Sequence, residues 1–412
     1  ISKEKVKNPI ENKIEMSKSI LYSNKNLLET DLDILNERLK AKLKDCIKIN
    51  GMEVTRLGSF QFTEYKVDEY YNWHVDSTDT IQRETEFGAH NYHPLPVVLV
   101  KGEGALVWDE NGKEYIDAIA SWWVNPYGHS NTFIADAIYK QLTTLEHVLF
   151  GGFTHEPAVK VAEKLLAILP QNQQKLFFSD NGSTAVEIAI KVTLQYFFNK
   201  GEKKTTIIAF ENAFHGDTFA AMAASGISFY TLAFQSMMID VVRIPVPVVG
   251  QEKASFDALA KAIKNHNCAA FIYEPLVQGA AGMVMYEPAA LDTLIRMCKD
   301  NNVLTIADEV MTGFGKTGKT FATDYLIEQP DMMCFSKALT GGTIPMAITT
   351  FTQQIFEAFY DEDINKALFH GHTFTANPTG CAAALASLEL LQTTASLLVG
   401  LQTRMHSARR RF

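Results

Sequence analysis

From about Pro94 onward, short apolar runs alternate with longer stretches of helical spacing. VVLVKGEGALVWDENGKEYIDAIA (97–120) alternates apolar and polar residues about the turn Glu110-Asn111-Gly112, a pattern that predicts a β-hairpin. Beyond it, Ala158–Ile168, Thr184–Phe198, Phe256–Asn265 and Pro288–Asn301 carry apolar residues at helical spacing. Between them lie strand candidates at Lys175–Phe178, Thr206–Phe210, Ala269–Tyr273, Leu304–Ala307 and Met332–Phe335. A further helix is expected over 381–391. Strands alternating with helices predict an α/β fold with a mostly parallel sheet, in which ligands bind at the carboxyl ends of the strands. The first 75 residues differ. Residues 1–30 are rich in Lys, Asn, Ser and Glu, and Leu32, Leu35, Leu39 and Leu43 fit one face of a helix. That helix reads as a surface element or as an arm packed on a partner subunit.

Composition narrows the choice of function. At 412 residues the chain exceeds one simple core, so two or three structural units are expected. A net charge of −9 argues against a nucleic-acid surface, which needs a basic stripe. Arg404, Arg409, Arg410 and Arg411 form a short basic end that reads as a solvated tail. Cys46, Cys268, Cys298, Cys334 and Cys381 are scattered and form no CxxC pair, which predicts reduced, mostly buried thiols rather than a disulfide frame or a zinc site. No apolar run approaches the roughly 20 residues that span a bilayer. The polar start ISKEKVKNPIENKIEM lacks the apolar centre of a signal peptide. A cytoplasmic protein with no membrane partner is therefore expected.

Four segments at predicted strand ends carry candidate chemistry. In Ser179-Asp180-Asn181-Gly182-Ser183-Thr184, Gly182 permits a tight turn, and the Ser183 and Thr184 hydroxyls with free helical N–H groups suit either an anion or a simple helix cap. Asp308, after the apolar run Val303–Ile306, needs a partner if buried; a pyridinium nitrogen would serve, and a turn cap is the alternative. Lys337 follows an apolar strand and precedes Gly341-Gly342. A partly buried lysine there can condense with an aldehyde, whereas most lysines only reach into solvent. Lys337 stands 29 residues after Asp308, one crossover unit later. In His370-Gly371-His372-Thr373-Phe374, Gly371 allows close backbone approach and Thr373 can donate to a phosphate. The two histidines lack a matching third ligand, so no metal is expected.

Together these segments resemble the class III (ornithine-type) aminotransferases of pyridoxal 5′-phosphate (PLP) fold type I. SDNGSTAVEIAIK (179–191), FHGDTF (214–219), EPLVQGAAGM (274–283), ADEVMTGFGKTG (307–318) and SKALTGG (336–342) occur in the order and spacing of that class, and the likeness covers roughly residues 90–395. It implies a large domain with a mostly parallel sheet plus a smaller α+β domain. The expected division is an N-terminal extension (1–75), the beginning of the small domain and its link (76–155), the PLP-binding large domain (156–376) and the start of a C-terminal small domain, apparently shortened (377–412). Ser121-Trp122-Trp123, HVLFGGFTH (147–155), VQGAAGMVMY (277–286) and HGHTFTANPTGCAAALASLELL (370–391) resemble the branch of the class that makes 7,8-diaminopelargonate for biotin.

The resemblance implies residue roles. Lys337 binds the cofactor aldehyde and moves the proton, and Asp308 pairs with the ring nitrogen. Val310 and Phe214 cover the two ring faces, and Gly182 and Ser183 hold the phosphate. His215 joins the cofactor contacts, and Gln278 lies near the ring oxygen. His372 and Thr373 reach the phosphate from a partner subunit, so a homodimer is implied. Trp122 lines the substrate pocket, where an aromatic wall suits the aliphatic chain of 8-amino-7-oxononanoate. Gly371 lies at the substrate edge, and Asp217 contacts the substrate amine. S-adenosylmethionine is the implied amino donor, in a ping-pong exchange.

Three departures from the branch stand out. Phe214 occupies a position that is usually Tyr. Trp73-His74-Val75-Asp76 only partly echoes its WHPYT segment, and FGAHNYHPLPVV (87–98) is more like ornithine aminotransferase. The arginine that binds the substrate carboxylate in related enzymes has no matching position. Two other readings therefore stay open: another ω-aminotransferase acting on ornithine, 4-aminobutyrate or a diamine, and an inactive PLP-binding homologue.

Overall fold

The computed structural model describes residues 97–226 and 231–409. The helix expected at Leu32–Leu43, the segments 73–76 and 87–96, Cys46 and the side chains of the basic end lie outside the described residues.

Strands β1 (Leu99–Glu103), β2 (Leu106–Asp109) and β3 (Glu114–Ile116) form a three-stranded antiparallel sheet. Its second turn is the one the sequence predicts. The Asp109 carboxylate accepts from the Asn111 and Lys113 backbone N–H groups and from the Tyr115 hydroxyl, which closes the turn. Helices α1 (Thr132–Leu142) and α2 (Glu156–Leu166) follow.

The large sheet contains β4 (Lys175–Ser179), β5 (Thr206–Phe210), β6 (Val241–Ile244), β7 (Cys268–Tyr273), β10 (Leu304–Asp308), β11 (Met332–Phe335) and β12 (Ala347–Phe351); a two-stranded ribbon, β8 (Val277–Gln278) and β9 (Val284–Met285), stands apart. The order is β4-β12-β11-β10-β7-β5-β6. All neighbouring pairs are parallel except those of β12, which runs antiparallel to β4 and β11. This is the mostly parallel fold expected. The central strands are apolar on both faces because both are covered. Phe210, Phe271, Ala307, Met333 and Phe335 pack under α2, α5 (Glu252–Asn265), α6 (Pro288–Asp300) and the first turns of α8 (Pro378–Arg409). Ile207, Ala209, Ile272, Ile306 and Cys334 pack under α3 (Gly182–Asn199), α4 (Phe219–Ala224) and α7 (Gln353–Glu357). Adjacent residues on one strand thus enter opposite clusters, as the two-residue period of a strand requires.

Five predicted strands and four predicted helices fall within two residues of their observed bounds, apart from Phe256–Asn265, whose helix begins at Glu252. Two strands of the large sheet, and the short ribbon of β8 and β9, were not anticipated. β6 carries a polar Arg243, and β12 reads AITTF after a Gly-rich turn. The buried Thr349 and Thr350 hydroxyls donate to the Ala185 carbonyl and Gln173 Oε1, so polar residues complete a central strand. α8 extends well past the expected 381–391. Cys268, Cys298, Cys334 and Cys381 are buried free thiols, and burial pushes Cys268 up to about 11. Among the described residues no helix is long and apolar enough to cross a membrane.

Candidate active site

The carboxyl ends of the parallel strands open on one cavity of about 850 Å³. Asp308 is the last residue of β10, Ser336 and Lys337 follow β11, and the segment after β5 brings Phe214, His215 and Asp217. Glu274 follows β7, and Gly182 and Ser183 open α3. All of these residues line the cavity, as do Val310, Met311 and Trp123.

The deep end is polar, and its carboxylates Asp308 and Glu309 are well partnered, while His215 Nε2 has no partner among the described residues. His215 Nδ1–H donates to Asp308 Oδ2 at 2.7 Å, and the Val310 N–H donates to Asp308 Oδ1 at 3.1 Å. Two donors on one buried carboxylate fix its orientation and offset the cost of its burial. Glu309, fully buried behind it, accepts from the Thr323 N–H and from the Thr312 and Thr323 hydroxyls. Burial pushes its carboxyl up to about 6. Burial also lowers the Lys337 ammonium, while the Asp308 and Glu274 carboxylates draw it partly back. Lys337 sits at φ +52°, a left-handed conformation that a non-glycine residue keeps only where its surroundings impose it.

The phosphate-type cradle divides the work of its hydroxyls. Asn181 and Thr184 form a capping box: Asn181 Oδ1 accepts from the Thr184 N–H, and the Asn181 N–H donates to the Thr184 hydroxyl. Thr184 is therefore engaged in the cap, and Ser183 faces the cavity. The Ser183 Oγ accepts from the Thr218 N–H. Gly182 has no room for a side chain, because a Cβ there would lie 2.7 Å from Val310 Cγ1.

The mouth is built differently. Residues Ala120, Ser121, Trp122 and Trp123 all have positive φ, from 48° to 70°, so the four form a left-handed turn. The turn carries Trp123 into the cavity wall with Lys337 Nζ 5.2 Å from its ring centroid, an arrangement of cation–π type. Trp122 points away and is 64% exposed. The resemblance assigned the pocket wall to the first tryptophan of the pair; within one chain the second supplies it. Three further expected residues, Gly371, His372 and Thr373, do not line this cavity in their own chain. His372 instead approaches His370 and Asp180. Gln278 is fully buried and does not line the cavity; its Nε2 donates to the Glu211 carbonyl, and its Oε1 has no partner.

Glu274 went unnoticed in the sequence although it opens EPLVQGAAGM. Its Oε1 accepts from the Phe214 N–H and its Oε2 from the Gly279 N–H, so one buried carboxylate ties two cavity walls together. Burial raises its carboxyl above the usual range.

A sequence profile described as aminotransferase class-III matches residues 87–408. The chain belongs to this family. An adenosylmethionine-8-amino-7-oxononanoate aminotransferase of Synechococcus elongatus is 45% identical over 317 residues, covering 75% of either chain. The crystal structure of an adenosylmethionine-8-amino-7-oxononanoate aminotransferase from Methanocaldococcus jannaschii superposes with a TM-score of 0.74 at 33% identity, covering 79% of this chain and 77% of that one. An ω-transaminase of Pseudomonas jessenii, solved in complex with PMP, gives 0.71 at 29% identity, covering 76% and 75%.

Class-III aminotransferases are PLP enzymes, and the cavity of this class-III chain fits that cofactor. A lysine for the aldehyde, an oriented carboxylate for the ring nitrogen and a helix N-terminus with Ser183, outside the helix cap, for the phosphate all face one space.

Proposed function

We propose that this aminotransferase carries an amino group from S-adenosylmethionine to 8-amino-7-oxononanoate, giving 7,8-diaminononanoate in biotin synthesis. The observation that carries the reading is the wall around Lys337. Trp123, Phe214, Met311, Ile344 and Met346 line the same cavity and suit a long aliphatic substrate. The named relatives support the same choice of substrate.

When bound, PLP supplies an aldehyde that takes up amines and a ring that accepts the electron pair of a broken C–H bond. The residues of the chain do the rest. Lys337 Nζ would hold the aldehyde until an incoming amine displaces it. Its lowered basicity would leave it able to take the substrate α-proton and to return it, across the nitrogen, at the carbon that was the aldehyde. Asp308 would keep the ring nitrogen protonated, with His215 Nδ1–H and the Val310 N–H holding the carboxylate in place. Val310 and Phe214 would enclose the ring. Gly182 and Ser183 would receive the phosphate, Gln278 would approach the ring oxygen, and Asp217 would meet the substrate amine at the mouth.

The working unit on this reading is a homodimer. Gly371, His372 and Thr373 stand outside their own cavity; Phe369 and Phe374 next to them in sequence are exposed apolar side chains, as are Leu149 and Phe153. A partner subunit would cover such side chains and receive the His372–Thr373 segment at its phosphate. Four buried free thiols support a reducing, cytoplasmic location.

The test is a pair of half-reactions followed by absorbance on the PLP-loaded chain. Loss of the visible cofactor band with S-adenosylmethionine, and its return with 8-amino-7-oxononanoate, is the expected result. Loss with ornithine or another ω-amine but not with S-adenosylmethionine would replace this substrate pair. A band indifferent to every amine would mark an inactive homologue.

A further inference from the structure

The left-handed turn 120–123 is the least expected backbone beside the cavity. Four consecutive non-glycine residues occupy a region that L-residues avoid, so something outside the turn must hold it. The main restraint is Asp117. Its Oδ1 accepts from the Ser121 N–H at 2.9 Å, and its Oδ2 accepts from the Ser121 hydroxyl at 2.7 Å. The same Oδ2 lies 2.8 Å from His129 Nε2. His129 is itself fixed, since its backbone exchanges two hydrogen bonds with Gly104, and a Cβ at Gly102 would lie 2.8 Å from the His129 Cβ. Asp117 thus ties the turn to the small sheet.

The turn ends in the cavity. Beyond Trp123, the Val124 carbonyl packs on Gly342, where a Cβ would lie only 2.7 Å away. Gly342 closes the segment that begins at Lys337. The far edge of the Trp123 ring meets Gly279, and Met311 packs beside it. A shift of the turn therefore moves an aromatic wall relative to Lys337 without touching the deep end.

We propose that Asp117 is a positioning residue for substrate selection: it holds the left-handed turn, and the turn sets Trp123 as the wall against which the acceptor chain lies. The inference rests on the transaminase reading above. If the unaltered enzyme fails to turn over, that reading falls; if it turns over but the variants behave otherwise than stated here, only this inference falls.

The experiment is a double-mutant cycle on the PLP-loaded enzyme with 8-amino-7-oxononanoate as acceptor. Asp117→Ala and Trp123→Leu should each raise KM about tenfold with a smaller change in kcat, and the double variant should be no worse than Trp123→Leu alone. Additive effects would mean that Asp117 does not act through Trp123 and would overturn the proposal. An unchanged KM in Asp117→Ala would do the same. Should Asp117→Ala fail to fold, Asp117→Asn takes its place in the cycle. It keeps the acceptor for the Ser121 N–H and loses the second carboxylate oxygen, so a smaller KM effect with the same non-additivity is expected.

Discussion

The deep end of the cavity and its mouth are made by different means. At the deep end Asp308, Lys337 and Glu274 stand on or just beyond buried strands, and Asp308 and Glu274 each accept two hydrogen bonds. At the mouth, Trp123 hangs on a left-handed turn tied down by one carboxylate, with Trp122 exposed beside it. A strand end is held by the whole sheet and admits little variation. A strapped turn can be re-aimed by changing a single side chain. The chemistry common to a family thus sits on the rigid part, and the residues that distinguish one substrate from another sit on the adjustable part.

Changes at the deep end should strike the chemistry or the cofactor, whereas changes at the mouth should appear in KM. The largest effect is expected for Lys337→Ala. Losing the amine that holds the aldehyde and moves the proton should lower kcat by about 10⁴-fold, the upper range for a positioned acid–base group. Circular dichroism should show the fold retained. A variant with near-normal turnover would remove Lys337 from the centre of the reaction.

Gly182→Ala probes the cradle. The added Cβ meets Val310 Cγ1 at 2.7 Å and Cγ2 at 3.2 Å. Overpacking of this kind costs about 1–3 kcal/mol, so PLP should dissociate roughly 10- to 100-fold more readily. Cofactor titration by fluorescence quenching reads this directly, and unchanged binding would show that the first turn of α3 adjusts freely.

The smallest effect concerns Glu309. Its carboxyl is raised to about 6 in the folded chain, so the native state holds this proton more tightly than the unfolded state does. Between about pH 4.5 and 6 the unfolded chain is the first to release it, and the contribution of this group to stability falls as pH rises, by roughly 2 kcal/mol. Glu309→Gln cannot titrate. Its stability relative to the unaltered protein should therefore rise across that window in urea melts, and a flat difference would show that Glu309 titrates normally.

The legible part of the protein was the part set by short-range pattern. Thr206–Phe210 and Met332–Phe335 are apolar throughout because both faces of the sheet are covered, so their bounds could be read directly. Asp308 and Lys337 follow such runs at fixed offsets, and a motif at a strand end names its own location. β12 was hidden because its threonines are polar by composition and are satisfied only by partners at Ala185 and Gln173, far away in sequence. Glu274 was hidden for a similar reason, since its two acceptors become meaningful only when Phe214 and Gly279 are brought beside it.

By itself the sequence determined the alternating helices and strands, the family and the residues able to carry the chemistry, because each depends on local spacing and on side-chain type. Tertiary structure decided which of Ser183 and Thr184 is engaged in the helix cap and which tryptophan of the pair faces Lys337. The physical reason lies in the backbone of residues 120–123. No run of non-glycine residues favours left-handed φ locally, so the direction of Trp123 follows from Asp117, which His129 anchors to the small sheet through Gly104.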